Sequence, residues 1–143
     1  MKLNKIIFLD LDGPIFYLGQ PMYNAIYCLS ELVRLCDAKI VITSSWRLGK
    51  SVEDLRDMLA IYEGFPYKEI IGKTEAIYYK DLEINRGAEI DIYLREHEDE
   101  ISKYVIIDDI DCCISYQKDY FVKTPHTSGF LSESFREALV ILG

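Results

Sequence analysis

Apolar and polar residues alternate in blocks along this chain. Short apolar runs at 6–9, 39–43 and 104–107 are typical of buried strands. Between them, apolar residues recur at helical spacing within 22–35 and 87–96. Strand-like runs that alternate with helical stretches predict an α/β fold, in which helices cover a mainly parallel central sheet.

Weaker signals extend this order of elements. Ser51 is an N-cap signal for a helix with acids in its first turn, and we expect Ser132 to N-cap a closing helix. Further short strands are predicted at 69–71 and 121–122. Because no repeat, low-complexity tract or linker interrupts the pattern, we predict one domain over residues 1–143.

Two of the apolar runs end in acidic residues. Asp10 and Asp12 follow the first run, and Asp108 and Asp109 follow the last. Side chains alternate across a strand, so we expect Asp10 and Asp12 to share one side and to crowd their charges. The carboxyl ends of parallel strands form one ligand crevice, where both acidic groups can meet. Such an all-oxygen cluster suits Mg²⁺ and predicts metal-assisted phosphate chemistry; the alternative is a solvated acidic turn.

Hydroxyl and cationic side chains complete this picture of a phosphate site. Thr43 and Ser44 end the second apolar run, where they can hold phosphate oxygens or simply cap the next helix. We expect Arg47 to pair with a phosphate in a bidentate manner. Arg86 and Lys73 are the candidates for balancing the phosphate charge. Arg86 is favoured because it opens a predicted helix, where the free N–H groups already attract an anion.

Composition narrows the environment and the partners. The net charge of -8 argues against a broad electrostatic grip on nucleic acid or an anionic membrane. The four cysteines lack zinc spacing, and the adjacent Cys112 and Cys113 would make an awkward disulfide framework, so we expect free thiols. The N-terminal apolar run is too short for a signal sequence or a membrane span. We therefore predict a cytoplasmic protein with no membrane partner.

Four features stand in a defined order, namely Asp10-Leu11-Asp12-Gly13, Thr43-Ser44 after a strand, a Lys or Arg that opens a helix, and Asp108-Asp109. Together they resemble the haloacid dehalogenase (HAD) superfamily of aspartate-nucleophile phosphatases. A narrower resemblance, to the HAD domain of Swiss Army Knife RNA repair proteins, is carried by Ser44-Ser45-Trp46-Arg47, Ile71-Gly72-Lys73-Thr74, Arg86-Gly87-Ala88-Glu89-Ile90 and Ile106-Ile107-Asp108-Asp109. The resemblance implies a Rossmann-like three-layer sandwich of the capless HAD type.

The resemblance also implies residue roles. Asp10 would be the nucleophile that forms an aspartyl-phosphate, and Asp12 the general acid and base. Mg²⁺ would be held by the Asp10 carboxylate, the Asp12 backbone carbonyl and Asp108, while Asp109 binds the ion or orients its ligands. The Thr43 side chain and the Ser44 amide would hold a phosphoryl oxygen, and Arg86 or Lys73 would neutralise charge on the intermediate.

Substrate class follows from the absence of room for an inserted cap. Capless members of the superfamily tend to act on large substrates, so the resemblance favours a phosphorylated RNA or nucleotide end. Two alternatives stay open at this point. One is a phosphoacceptor signalling domain of the receiver type, although its contiguous acid pair comes early in the chain rather than late. The other is a catalytically silent binding module.

Overall fold

The computed structural model of this protein describes residues 3–80, 82–83 and 85–143. The strands and helices, numbered in chain order, are β1 (Asn4–Leu9), β2 (Phe16–Tyr17), β3 (Gln20–Pro21), α1 (Tyr23–Cys36), β4 (Ala38–Ile42), α2 (Val52–Leu59), β5 (Ile70–Lys73), β6 (Tyr78–Tyr79), β7 (Leu82–Glu83), α3 (Arg86–Glu96), β8 (Ile101–Asp108), β9 (Phe121–Lys123) and α4 (Ser132–Leu142). Short 3₁₀ turns include Ser45–Arg47 and Ser115–Tyr120.

Five strands form a central sheet in the order β5-β4-β1-β8-β9, and every neighbouring pair is parallel. Numbered along the chain, these strands have the spatial order 3-2-1-4-5, and the chain reverses direction across the sheet between β1 and β8. Receiver domains follow the flavodoxin-like order 2-1-3-4-5 instead. The topology therefore argues against the receiver alternative.

The alternation of side chains along β1 divides the core between the two faces of the sheet. Ile7 and Leu9 pack on the face that α1, α2 and α4 cover. Ile6 and Phe8 point to the opposite face, where they pack with Ile90 of α3. The result is a three-layer α/β sandwich, which confirms the predicted fold class.

The predicted elements are present, with one helix start displaced. Ser132 is the first residue of α4 rather than its N-cap, and Leu131 occupies the cap position without a side-chain cap bond. The reason is packing, since the Leu131 side chain lies against the main core. Two small antiparallel hairpins, β2–β3 and β6–β7, were not predicted, because strands of two residues carry no periodic signal.

Two further predictions concern the environment of the chain. Cys28, Cys36, Cys112 and Cys113 are all free thiols. Among the described residues, none of the helices combines the length and the apolar character that crossing a membrane requires.

Candidate active site

Polar residues follow the five strands at one edge of the sheet. After four of these strands, the backbone amide of the next residue continues the ladder. For example, Asp10 N donates to Ile107 O (3.0 Å) and Thr43 N donates to Leu9 O (3.0 Å). Thr74 and Thr124 extend the same arrangement at the two outer strands. Asp10 leaves β1 and Asp108 ends β8, so both lie where the strand order reverses. Open α/β sheets bind their ligands at this position.

Three carboxylates meet at this point. Each of Asp10, Asp108 and Asp109 offers an oxygen, and these oxygens all lie within 4.8 Å of one another. Asp10 is 5% exposed and Asp108 is fully buried. Arg86 Nη1 lies 2.7 Å from Asp108 Oδ2 and 3.3 Å from Asp10 Oδ1. Arg86 thus contacts two of the three carboxylates, and its one positive charge does not offset all three negative charges.

The protonation of Asp10 reflects this imbalance. Burial, followed by the neighbouring Asp108 carboxylate, raises the pKa of Asp10 to about 8, against the lowering effect of Arg86. Burial also raises the pKa of Asp108, although Arg86 again opposes the shift. The raised pKa of Asp10 favours its protonated form near neutral pH. A divalent cation among the three oxygens would favour the ionised carboxylates.

The expectation that Asp10 and Asp12 crowd each other is wrong, because the chain turns directly after β1. Ile15 N and Phe16 N both donate to the Leu11 carbonyl, and the Asp12 side chain is exposed. Its Oδ2 accepts a hydrogen bond from Trp46 Nε1 (3.0 Å). The charges that crowd Asp10 come from Asp108 and Asp109, which follow a different strand. Asp12 stands instead at the mouth of the site.

Asp109 is fixed by two neighbours from separate loops. Gly13 has φ +104°, and a side chain at this position would collide with the Asp109 carboxylate. From the loop after β9, His126 Nδ1 lies 2.8 Å from Asp109 Oδ2. His126 was not predicted as a site residue. It follows β9 at the same edge of the sheet, so the rule that residues after parallel strands meet at one edge, which found the acids, also applies to His126.

The structure separates the two candidate cations. Arg86 is the first residue of α3, whose N-cap Asn85 accepts a hydrogen bond from Gly87 N (2.7 Å). From this position Arg86 reaches Asp10 and Asp108. Lys73 Nζ instead donates to the Lys50 backbone carbonyl (2.5 Å). Of the two, Arg86 is the cation placed at the carboxylates.

Arg47 does not have the position that a phosphate-binding residue needs. Only 1% of Arg47 is exposed, and its guanidinium donates to the carbonyl oxygens of Thr43, Ser44 and Thr74. Its Nη2 also donates to Glu89 Oε1 (3.0 Å). The prediction that Arg47 pairs with a phosphate is therefore corrected: its guanidinium makes these contacts within the protein instead. Sequence alone could not show this, because the partner lies 42 residues away.

Two residues follow β4, Thr43 and Ser44, for which the sequence left two roles open: to hold phosphate oxygens or to cap the next helix. Thr43 and Ser44 lie at the carboxyl edge beside Asp10, and both are buried. Ser44 Oγ accepts from Trp46 N (3.3 Å), so this hydroxyl caps the short turn, as the alternative interpretation held. Trp46 itself packs against Phe16, with ring centroids 4.6 Å apart, and belongs to the edge of the core.

Comparison with known families agrees with this geometry. The family model described as the HAD domain in Swiss Army Knife RNA repair proteins matches residues 6–135, and the chain belongs to this family. The family indicates a hydrolase with phosphatase-type activity on phosphorylated substrates. HAD domains typically depend on Mg²⁺, and the acid cluster offers carboxylate oxygens that suit this ion. Neither a curated protein nor a solved structure matches the chain.

Proposed function

We propose that this protein is a Mg²⁺-dependent phosphomonoester hydrolase that works through an aspartyl-phosphate intermediate. The observation that carries the proposal is the meeting of Asp10, Asp108 and Asp109 with Arg86 at the carboxyl edge of the sheet. Buried like charges are costly unless a cation relieves them. An arrangement with this excess of negative charge fits a site built to hold a metal ion and a phosphate.

The donor set fits Mg²⁺. Three carboxylate oxygens within 4.8 Å of one another form a hard, all-oxygen set. In the proposal the Asp10 carboxylate, the Asp12 backbone carbonyl and Asp108 hold the ion, and Asp109 binds it or orients its ligands. A bound Mg²⁺ offsets the repulsion between the carboxylates and a phosphate and stabilises negative charge as the reaction proceeds.

Asp10 is the nucleophile in this proposal. Its carboxylate oxygen attacks phosphorus, the bond to the leaving oxygen breaks, and the phosphoryl group passes to Asp10. Asp12 protonates the leaving oxygen and then takes a proton from the water that hydrolyses the aspartyl-phosphate. The exposed position of Asp12 suits this exchange of protons with substrate and water, and its bond from Trp46 holds the carboxylate at the mouth of the site.

The remaining polar groups hold the phosphoryl oxygens. Thr43 and the Ser44 amide lie next to Asp10 at the end of β4, and we assign them to one phosphoryl oxygen. Arg86, already beside Asp10 and Asp108, neutralises charge on the transferred group. Lys73 and Arg47 have no direct contact with substrate in this proposal, because both side chains bind backbone carbonyls.

The substrate we propose is a phosphorylated RNA or nucleotide end. Small hairpins, β2–β3 and β6–β7, occupy the connections after β1 and β5, and an open crevice suits a substrate that projects beyond the site. The family is that of a HAD domain in RNA repair proteins, which favours RNA. The net charge of -8 disfavours an extended contact with a phosphate backbone, so recognition is expected at the terminal phosphate.

The test is hydrolysis of an aryl phosphate with Mg²⁺ and with EDTA. We expect the wild type to be active with Mg²⁺ and inactive with EDTA. The activity with Mg²⁺ should fall at least about 1,000-fold in Asp10→Asn and about 100-fold in Asp12→Asn. The matched control is Asp111→Asn, an exposed acid beyond the cluster, which should stay within about twofold of the wild type. Full activity in both Asp10→Asn and Asp12→Asn would refute the assigned roles.

Substrate class requires a second experiment. The panel comprises oligonucleotides with 5′- or 3′-phosphates, mononucleotides, sugar phosphates and phosphopeptides. We expect the highest kcat/KM for an oligonucleotide end or a nucleotide. A preference for sugar phosphates or phosphopeptides would contradict the proposed substrate while leaving the reaction type intact.

A further inference from the structure

A buried ion pair lies behind the candidate active site. The side chains of Arg47 and Glu89 are 1% and 0% exposed, and Arg47 Nη2 lies 3.0 Å from Glu89 Oε1. Burying such a pair removes two charges from water, and apolar residues of the same volume often stabilise a protein equally well. Packing alone therefore does not account for the pair.

The hydrogen bonds of Arg47 show what the pair connects. Its Nη1 donates to the carbonyls of Thr43 (2.9 Å) and Ser44 (3.0 Å), and its Nε donates to the carbonyl of Thr74 (2.7 Å). These carbonyls belong to the turns that follow β4 and β5. A planar guanidinium with five donors can serve all of them at once, which no lysine can do.

Glu89 extends the same network to a third segment. While Oε1 accepts from Arg47, Oε2 accepts from the backbone N–H of Ile77 (2.9 Å). Ile77 lies in the connection between β5 and the β6–β7 hairpin, and Glu89 belongs to the first turns of α3. One ion pair thus ties together the turn after β4, the turn after β5, the connection at Ile77 and the start of α3.

The start of α3 is also the part of the helix that carries Arg86, which lies three residues before Glu89. The opposite side of this turn is fixed separately, because Gln117 Nε2 donates to Gly87 O (2.8 Å) and Gly87 N donates to Cys112 O (3.1 Å). Held from both sides, the helix start sets the distance of the Arg86 guanidinium from Asp10 and Asp108.

We infer that Arg47 and Glu89 are positioning residues, which couple the phosphate-holding turn at Thr43 and Ser44 to the helix that carries Arg86. This inference rests on the proposed function for its catalytic meaning. Neither residue touches the substrate. Their contribution is to keep the backbone of Thr43 and Ser44 and the guanidinium of Arg86 in one fixed relation, so that both meet the same phosphoryl group.

The test is Glu89→Gln, compared with Glu31→Gln. Glutamine keeps the volume of Glu89 but has one acceptor oxygen, so the bond from Arg47 or the bond from Ile77 N must be lost. Glu31→Gln makes the same change in the exposed ion pair with Arg34 on α1. We expect kcat to fall about 10- to 100-fold in Glu89→Gln, with KM within about threefold, and no change in the control.

Two measurements that do not use activity separate this inference from the proposed function. Hydrogen exchange of the Ile77 amide should accelerate at least about tenfold in Glu89→Gln. The NMR signal of the Arg86 Nε–H group should shift in Glu89→Gln and stay in place in Glu31→Gln. If the wild-type protein hydrolyses no phosphate, the proposed function fails, and these two readouts still decide whether the pair couples the two segments.

Several outcomes would overturn the inference. Unchanged kcat in a folded Glu89→Gln, whatever its Tm, would reduce the pair to a purely structural role. An unchanged Arg86 signal would show that the pair does not set the position of this residue. If Glu89→Gln cannot be purified, native-state hydrogen exchange of the wild type is the deciding measurement. The amides of Ile77 and Glu89 should then open together, with the same dependence on denaturant. Separate openings would refute the coupling.

Discussion

Within the described part of the chain, charged side chains are buried in two places, and the two differ in how far opposite charges balance. Arg47 and Glu89 form a pair of equal and opposite charges, and their hydrogen bonds include backbone partners at Thr74 and Ile77. At the carboxyl edge of the sheet, by contrast, the carboxylates of Asp10, Asp108 and Asp109 meet, and Arg86 contacts the first two. Both sites contain arginine and carboxylate, and both lie near the same helix start.

The difference teaches how buried charge divides between structure and function. A balanced pair, with one charge of each sign, fixes the backbone around it through its hydrogen bonds. An unbalanced cluster is stable only with a proton or a cation, and the raised pKa of Asp10, caused first by burial and then by Asp108, is the sign of that need. Sequence-based reasoning assigned phosphate binding to both arginines, but only Arg86 lies in the unbalanced site.

Breaking the balanced pair is expected to have the largest effect on stability at a fixed pH. Arg47→Met leaves the Glu89 carboxylate buried without this partner and removes the donor from three carbonyls, so the free energy of unfolding should fall by about 3–5 kcal/mol. Arg34→Met, which breaks an exposed pair, should cost under about 1 kcal/mol. Urea denaturation measures both. Equal losses in the two variants would contradict the contrast between buried and exposed pairs.

The unbalanced cluster should instead give a pH dependence. Because the pKa of Asp10 is higher in the folded than in the unfolded protein, the folded state binds the extra proton between pH 4 and pH 8. In EDTA, the free energy of unfolding should therefore decline as pH rises through this window, by at most about 1.4 kcal/mol for each pH unit. Below pH 4 this contribution is fully present, and above pH 8 it is lost.

Asp10→Asn is the control for that dependence, since other acids also titrate. The difference in unfolding free energy between the wild type and Asp10→Asn should shift in favour of the variant as pH rises. Saturating Mg²⁺ should abolish the trend in the wild type, because a bound cation favours the ionised carboxylate. If the difference in unfolding free energy between the two proteins does not change from pH 4 to pH 8 in EDTA, the pKa of Asp10 is not raised in the folded state.

The smallest expected effect concerns the rim of the cluster. His126 is 67% exposed and contacts Asp109, so His126→Asn should raise the Mg²⁺ concentration for half-maximal activity by only about threefold. His97→Asn is the matched control, because the His97 ring stacks on Tyr93 near the end of α3 instead of contacting a carboxylate of the cluster. A loss of more than about 100-fold in His126→Asn would place this residue in the chemistry itself rather than beside it.

The hydrophobic pattern predicted the layers of the fold because burial on both faces of a parallel sheet leaves continuous apolar runs, as at 6–9 and 104–107. It also predicted the convergence of Asp10 with Asp108, since that convergence follows from strand direction alone. The two hairpins were not predicted, because a strand of only two residues shows no periodic pattern. Their exposed tyrosines look like ordinary polar-face residues in sequence.

The side-chain contacts of the site were harder to predict. Periodicity gave Asp10 and Asp12 a common side, but the turn at Leu11 broke the alternation after one residue. The fate of Arg47 depended on Glu89, and no local signal links positions so far apart in sequence. Strand direction can be inferred from pattern, whereas the partner of a single charged side chain depends on the packed structure as a whole.

The close approach at Gly87 sets a limit on how this protein can vary. A β-carbon there would lie 2.5 Å from the Cys112 carbonyl oxygen, so even alanine forces the first turn of α3 outward. Arg86 precedes this glycine, so a displaced helix start would change the distance between its guanidinium and Asp108. This charge contact therefore depends on the absence of a side chain at residue 87 as well as on the identity of residue 86.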